Sequence, residues 1–203
     1  MALQPYQTSL GYCQLSSTTL ASAVGLANGY STLATVAVGN SGGTNYAIGD
    51  AVTIGGTGTQ AIIYVTNVSA GGVVTGVSLY YSSANPVSGM YVTGATPGTT
   101  NVTTSNVVVA NAAATGLTLN CTYTASGVPL GVQGAILQAL TQNVVFRDDG
   151  VAPTATTGMV VETGALSWDY YGSAANVSVI RATTGAVLNV YFYSVVGNAQ
   201  IGR

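Results

Sequence analysis

Leu188-Asn189-Val190-Tyr191-Phe192-Tyr193 is the stretch that decides the fold. Leu188, Val190 and Phe192 alternate with Asn189, Tyr191 and Tyr193, the period-two signature of a strand with one buried face. The same period runs through Val73-Val74-Thr75-Gly76-Val77-Ser78-Leu79-Tyr80, where Val73, Thr75, Val77 and Leu79 face one way. Gly and Asn clusters bound such runs. Ala70-Gly71-Gly72 reads as the turn joining residues 60–69 to 73–80, and Thr184-Gly185 as the hairpin turn joining 176–182 to 186–193. Lysine is absent, glutamate occurs once, and 27 glycines spread along the chain oppose long helices. Residues 135–140 have helical spacing for a single turn, but so short a run reads better as a strand. The expected class is all-β: an antiparallel β-sandwich of jelly-roll type.

Charge is the next informative feature. Only 4% of the 203 residues are charged, where a soluble monomer uses about a quarter. Asp50 is the only charged residue before Arg147; Asp148, Asp149, Glu162, Asp169, Arg181 and Arg203 follow. Charge keeps protein surfaces apart in solution, so a chain this neutral is expected to work while bound to something. Hydrophobic residues reach 48%, but Gly, Thr, Ser and Asn cut them into short pieces, far below the roughly 18–20 residues of a membrane-spanning helix. Strands near ten residues with aromatic girdles, the mark of a membrane barrel, are not evident either. The first residues, Met1-Ala2-Leu3-Gln4-Pro5, carry neither the basic nor the apolar part of an export signal, which points to cytoplasmic synthesis. A net charge of −2 with three arginines offers no basic patch for nucleic acid.

Cys13 and Cys121 do not make a disulfide framework. Cys121 shares a face with Leu117, Leu119 and Tyr123, so a buried thiol is the leading reading, with a disulfide second. Composition also shifts along the chain. The middle is rich in Gly, Thr, Val and Asn, whereas the later part holds the single Trp, both Phe and most charges. Residues 96–105 read as a long loop.

Two stretches carry a resemblance. Gln142-Asn143-Val144-Val145-Phe146-Arg147-Asp148-Asp149-Gly150, followed by Ala152-Pro153-Thr154-Ala155 and Gly158-Met159, resembles a pattern of small tailed-bacteriophage virion proteins. In that family a strand ends in Arg-Asp-Asp-Gly, a Pro-Thr-Ala loop and a Gly-Met strand follow, and a strand pair like 177–181 and 186–193 closes the domain. The family's first strand is Leu/Thr/Ser-rich; its counterpart here is 14–26, far upstream. The resemblance therefore implies a sandwich of residues 1–28 and 125–203, interrupted by a small β domain at 29–124. Within that insert, Asn45-Tyr46-Ala47-Ile48-Gly49-Asp50-Ala51-Val52-Thr53-Ile54-Gly55-Gly56 resembles the Tyr-x-x-Gly-Asp modules of phage decorating and fibre proteins. It departs from them later, where only Gly89-Met90-Tyr91 and Pro97 echo their Gly-Tyr-x-x-x-Pro stretch.

The candidate residues read mainly as structural. Arg147, Asp148, Asp149 and Gly150 suit a charge-assisted turn; a divalent-cation site on Asp148 and Asp149 is the sharper reading but has no third oxygen ligand at recognisable spacing. Gly49-Asp50 suits a turn in which the carboxylate bonds local backbone amides. Trp168, Tyr170 and Tyr171 form the densest aromatic cluster, a candidate interface first and a carbohydrate platform second. No histidine or lysine is present to serve as base, zinc ligand or phosphate clamp. A two-carboxylate glycosidase is the remaining catalytic option, and the few acids, two of them adjacent, count against it. No cofactor or metal is expected. The resemblance implies a non-enzymatic capsid decoration (cement) protein that binds the major capsid protein or other virion proteins. It further implies a homo-oligomer, trimer before dimer, with no nucleic acid and no membrane as partner. Alternatives are a tail-fibre, collar or baseplate component, a host-glycan receptor-binding module, and a bacterial adhesin.

Overall fold

The computed structural model describes residues 6–81, 85–86, 89–94, 96–108, 112–125, 127–129, 131–165 and 168–196. Residues 1–5, whose sequence lacks the parts of an export signal, and Arg203 lie outside the described residues. The strands begin with β1 (Tyr6–Leu15) and β2 (Val24–Gly25). There follow β3 (Tyr30–Thr44), β4 (Ala51–Ile54), β5 (Gly58–Thr59), β6 (Ala61–Ser69), β7 (Val73–Ser78), β8 (Tyr80–Tyr81), β9 (Asn85–Pro86), β10 (Met90–Val92), β11 (Val102–Val108) and β12 (Thr115–Ala125). The last are β13 (Gly134–Ala139), β14 (Val144–Arg147), β15 (Met159–Val161), β16 (Trp168–Tyr170), β17 (Ser178–Arg181) and β18 (Leu188–Val196). Among the described residues, helical backbone is limited to single 3-10 turns at Thr19–Ala21, Ala70–Gly72 and Ala174–Asn176. The protein is all-β and its sheets are antiparallel.

The chain divides into two compact units, Met1–Asn28 with Gly131–Arg203, and Gly29–Leu130. In the first, the sheets run β1-β18-β13-β16 and β15-β14-β17-β2. Counting only this unit's strands in chain order, these are 1-8-3-6 and 5-4-7-2, the two-sheet strand order of a jelly roll. The second unit therefore interrupts the connection between the second and third strands of that roll. Leu188, Val190 and Phe192 of β18 are fully buried, as the alternation predicts, and Leu137 and Cys13 flank them on β13 and β1. Phe146 and Val179 bury their side chains from the other sheet. Each such apolar side chain removed from water stabilises the fold by about 1.5–3 kcal/mol.

Three local expectations need correction. Thr184-Gly185 does not close a hairpin: β17 pairs with β14 and β2, whereas β18 pairs with β1 and β13. The dipeptide instead carries the chain from one sheet to the other, where the Gly185 amide (φ 94°) donates to the Ser17 hydroxyl oxygen, 2.8 Å away. The first strand is Tyr6–Leu15, not 14–26. Beyond Leu15 the hydroxyl-rich Ser16-Ser17-Thr18-Thr19 bonds to its own backbone: the Leu20 amide donates to the Ser16 carbonyl (2.9 Å) and the Thr19 amide to the Ser16 hydroxyl (3.4 Å). Local bonding of this kind competes with a strand ladder. Finally, the loop expected over 96–105 ends early, because Val102–Val108 pairs with both β12 and β4.

In the second unit, the main sheet runs β5-β10-β3-β12-β11-β4-β6-β7. It curls until its far end returns to β3: the Asn45 amide donates to the Gly71 carbonyl (3.0 Å) and the Tyr46 amide to the Gly72 carbonyl (2.9 Å). The approach is close enough that a Cβ at Gly42 would stand 2.4 Å from the Val74 carbonyl oxygen, so this crossing needs glycine. Leu33, Val52, Ile63, Leu119 and Cys121 fill the interior. Tyr91 is fully buried among them, and its hydroxyl donates to the Ile54 carbonyl (3.0 Å) while accepting from the Ala61 amide (2.9 Å). In the Tyr-x-x-Gly-Asp segment, Asp50 accepts from the Ala47 amide (2.9 Å), the local bond expected of it.

Candidate functional site

The two clusters singled out in the sequence meet in the jelly-roll unit. Arg147 ends β14 and its guanidinium grips Asp149: Nε donates to Oδ1 at 3.0 Å and a terminal nitrogen to Oδ2. The Val151 amide also donates to Asp149 (3.2 Å), and Gly150 adopts φ 79°, which glycine tolerates without cost. The Arg147 hydrogen bond first, then the Val151 amide, hold the Asp149 carboxyl down to about 2 and the guanidinium is correspondingly raised. With Asp149 committed to Arg147, Asp148 turns the other way and accepts from the Tyr170 hydroxyl at 3.3 Å. Among the described residues no group of three or more His, Cys, Asp or Glu side chains is placed to hold a metal ion.

Strand β16 sets the orientation of the aromatic cluster. Trp168 and Tyr170 lie opposite Leu137 and Ala135, both buried, so the two rings turn toward the opposite sheet. Phe146 receives them: Trp168 stands edge-on at 4.5 Å and Tyr170 at 6.3 Å between ring centroids. Asp169 points to the outer face, where the Tyr171 hydroxyl (2.7 Å) and the Tyr193 hydroxyl both donate to its carboxylate. Burial and this carboxylate push the Tyr193 phenol up; Asp169 does the same for Tyr171. Tyr171 is 66% exposed, the most open aromatic ring among the unit's described side chains. The close packing here depends on Gly134, whose Cβ would fall 2.3 Å from the Tyr193 hydroxyl.

The structure adds two features that the sequence reading missed. One is an apolar edge. Among the described residues, strand β15 has a partner on one side only, β14, and its Met159 and Val160 are half exposed, with Val151 nearby in sequence at 54%. The other is a polar row on the outer face of the β1-β18-β13-β16 sheet. Gln14, Asn189 and Gln138 stand abreast on adjacent strands, and beside them Tyr12, Tyr191 and Ile136 do the same. Strand periodicity names the outward residues of each strand, but only the register places these amides side by side.

Both thiols are free and buried. The Cys13 thiol donates to the Leu26 carbonyl (3.2 Å), and burial pushes its pKa up to about 12, far from the range of a nucleophilic thiolate. Burial also raises Cys121. No family model, curated protein or solved structure matches the chain.

Proposed function

We propose that this chain is a non-enzymatic structural protein of a tailed-bacteriophage virion, acting as a capsid decoration (cement) protein. The observation that carries the reading is the β15 edge of a jelly roll, Met159-Val160-Val161, combined with a chain only 4% charged. Soluble proteins guard sheet edges with charge, proline or a covering segment because an open apolar edge recruits other chains. Here the strand carries no charge and two of its apolar side chains face solvent. Such a surface suits a protein held by neighbours: the major capsid protein, another virion protein, or further copies of itself, as a trimer before a dimer. Burying it across subunit joints would stabilise the shell by mass action, with no chemistry required.

Quantitative mass spectrometry of purified particles tests this. Decoration requires on the order of hundreds of copies per particle, following the shell's repeated symmetry. About six or twelve copies would instead favour a collar, baseplate or tail-fibre place, and absence from particles would end the structural reading.

A further inference from the structure

We propose that the outer face of the β1-β18-β13-β16 sheet is a binding site for a neutral oligosaccharide, a role beyond the structural one above and independent of it. The face is built in three steps. First comes the amide row. Asn189 Oδ1 accepts from Gln14 Nε2 (2.9 Å) and from the Tyr12 hydroxyl (2.8 Å), while Asn189 Nδ2 donates to Gln138 Oε1 (3.5 Å). These bonds set which way each amide points. They use the Gln138 oxygen as acceptor and leave its NH2 group, on an exposed side chain, to donate outward. Second is the aromatic step, where the Tyr12 and Tyr191 rings stand 4.6 Å apart at 42° and Tyr191 is 45% exposed at mid-sheet. Third, beyond Tyr191, lies a hollow of about 160 Å³ lined by Ser9, Ile136, Tyr191, Phe192 and Tyr193. The Asp169 carboxylate, fixed by the Tyr171 and Tyr193 hydroxyls, stands opposite Ile136 on β16 at its far side.

A saccharide matches this order of groups. Its ring has an apolar C–H face, which stacks on the electron-rich face of an exposed tyrosine, and a rim of hydroxyls that both donate and accept. Gln138 offers a donor to that rim. Fixed amides and rings lose little freedom on binding, so the site is preorganised. The charge pattern narrows the class. No arginine lies on these strands' described outward positions and the chain has no lysine or histidine, while Asp169 is acidic. An anionic ligand such as a sialylated or sulfated glycan would meet repulsion without compensation. A protein partner fits less well, since protein interfaces bury an apolar core within a polar rim, whereas amides run across this face.

The test uses the full chain with a panel of neutral oligosaccharides (glucose, galactose, mannose and N-acetylglucosamine oligomers) and sialyl-lactose. Binding is followed by saturation-transfer NMR and tyrosine fluorescence. The proposal expects saturable binding of at least one neutral oligomer, weakened about tenfold by Tyr191→Ala and by Gln138→Ala. Both side chains are exposed, so thermal unfolding should be unchanged, and Trp168→Phe should bind as the parent does. No binding to any neutral oligomer, preference for sialyl-lactose, or undiminished binding by both variants would overturn it. Light scattering showing that Tyr191→Ala breaks an oligomer into single chains would also overturn it, by making this face an interface between copies.

Discussion

The Trp168 indole meets the Phe146 ring edge-on, with 4.5 Å between centroids and 68° between planes. The two residues belong to different sheets of the jelly roll, Trp168 to an edge strand and Phe146 to a strand one in from the edge. Their contact ties the sheets together on the side where both end. Full truncation of a buried aromatic costs about 3–5 kcal/mol. Trp168 is only partly buried, so Trp168→Ala should cost about 2–3 kcal/mol. Urea unfolding of the jelly-roll unit measures this, and an unchanged midpoint would show that the indole contributes nothing to closing the roll.

Gly134 has no room for a methyl group. Besides the Tyr193 hydroxyl, its Cβ would stand 2.7 Å from the Tyr170 carbonyl oxygen, a backbone atom that cannot swing aside. Gly134→Ala should therefore destabilise by about 1–3 kcal/mol. Gly25→Ala, where the added carbon meets nothing within 4 Å, should change thermal stability little, within about 0.5 kcal/mol. Equal effects at the two sites would refute the packing argument.

Acid should act on the Arg147–Asp149 pair in a defined direction. Asp149 is held down to about 2, below an unfolded carboxyl near 3.9. The pair's contribution is thus present above about pH 4 and disappears as pH falls toward 2. Stability measured against pH should slope less over that window in Asp149→Asn than in the parent. Identical slopes would mean that the pair is too well solvated to count.

Tyr91 couples two buried backbone groups through one hydroxyl. Tyr91→Phe strands the Ile54 carbonyl and the Ala61 amide, and should cost about 1–3 kcal/mol in chemical denaturation. Burial pushes this phenol up to about 12 from an ordinary 10. Its contribution is fully present below pH 10 and is lost as pH rises toward 12, so alkaline unfolding should start in that interval. An absorbance titration in which every tyrosine ionises near 10 in the folded protein would contradict this.

For the β15 edge, Met159→Lys and Val160→Lys place charge where the side chains already face solvent. Each should leave chemical stability within about 0.5 kcal/mol. Attachment to particles, read by co-sedimentation with particles lacking the protein, should fall at least about tenfold if this edge is the contact. Undiminished attachment by both variants would move the contact elsewhere.

What the sequence shows and hides follows the range of each interaction. Leu188, Val190 and Phe192 were legible as a buried row because a strand's two faces are written in consecutive residues. The Arg147–Asp149 clasp and the Asp50 turn were legible for the same reason, since each spans two or three positions. Thr184-Gly185 misled because a dipeptide that permits a reversal does not say which strand will be the partner. Gln14 and Asn189 are 175 positions apart, and no local pattern announces that they hydrogen-bond. Trp168 stood out as an aromatic, but its role depended on Phe146 in the facing sheet.

Strand β1 carries a consequence for how the molecule comes into being. Tyr6 pairs with Val196 and Leu15 with Leu188, so β1 receives this neighbour only after every strand between the two has been made. The Gly29–Leu130 unit contains the partners of all its described strands and can close while the ribosome is still at work. The jelly roll cannot, and closing contacts so distant in sequence is intrinsically slow. Until β18 emerges, the apolar face of β1 waits uncovered, in a chain with almost no charge to keep nascent copies apart. A holding chaperone, or rapid capture by the growing assembly, would have its greatest effect in that interval.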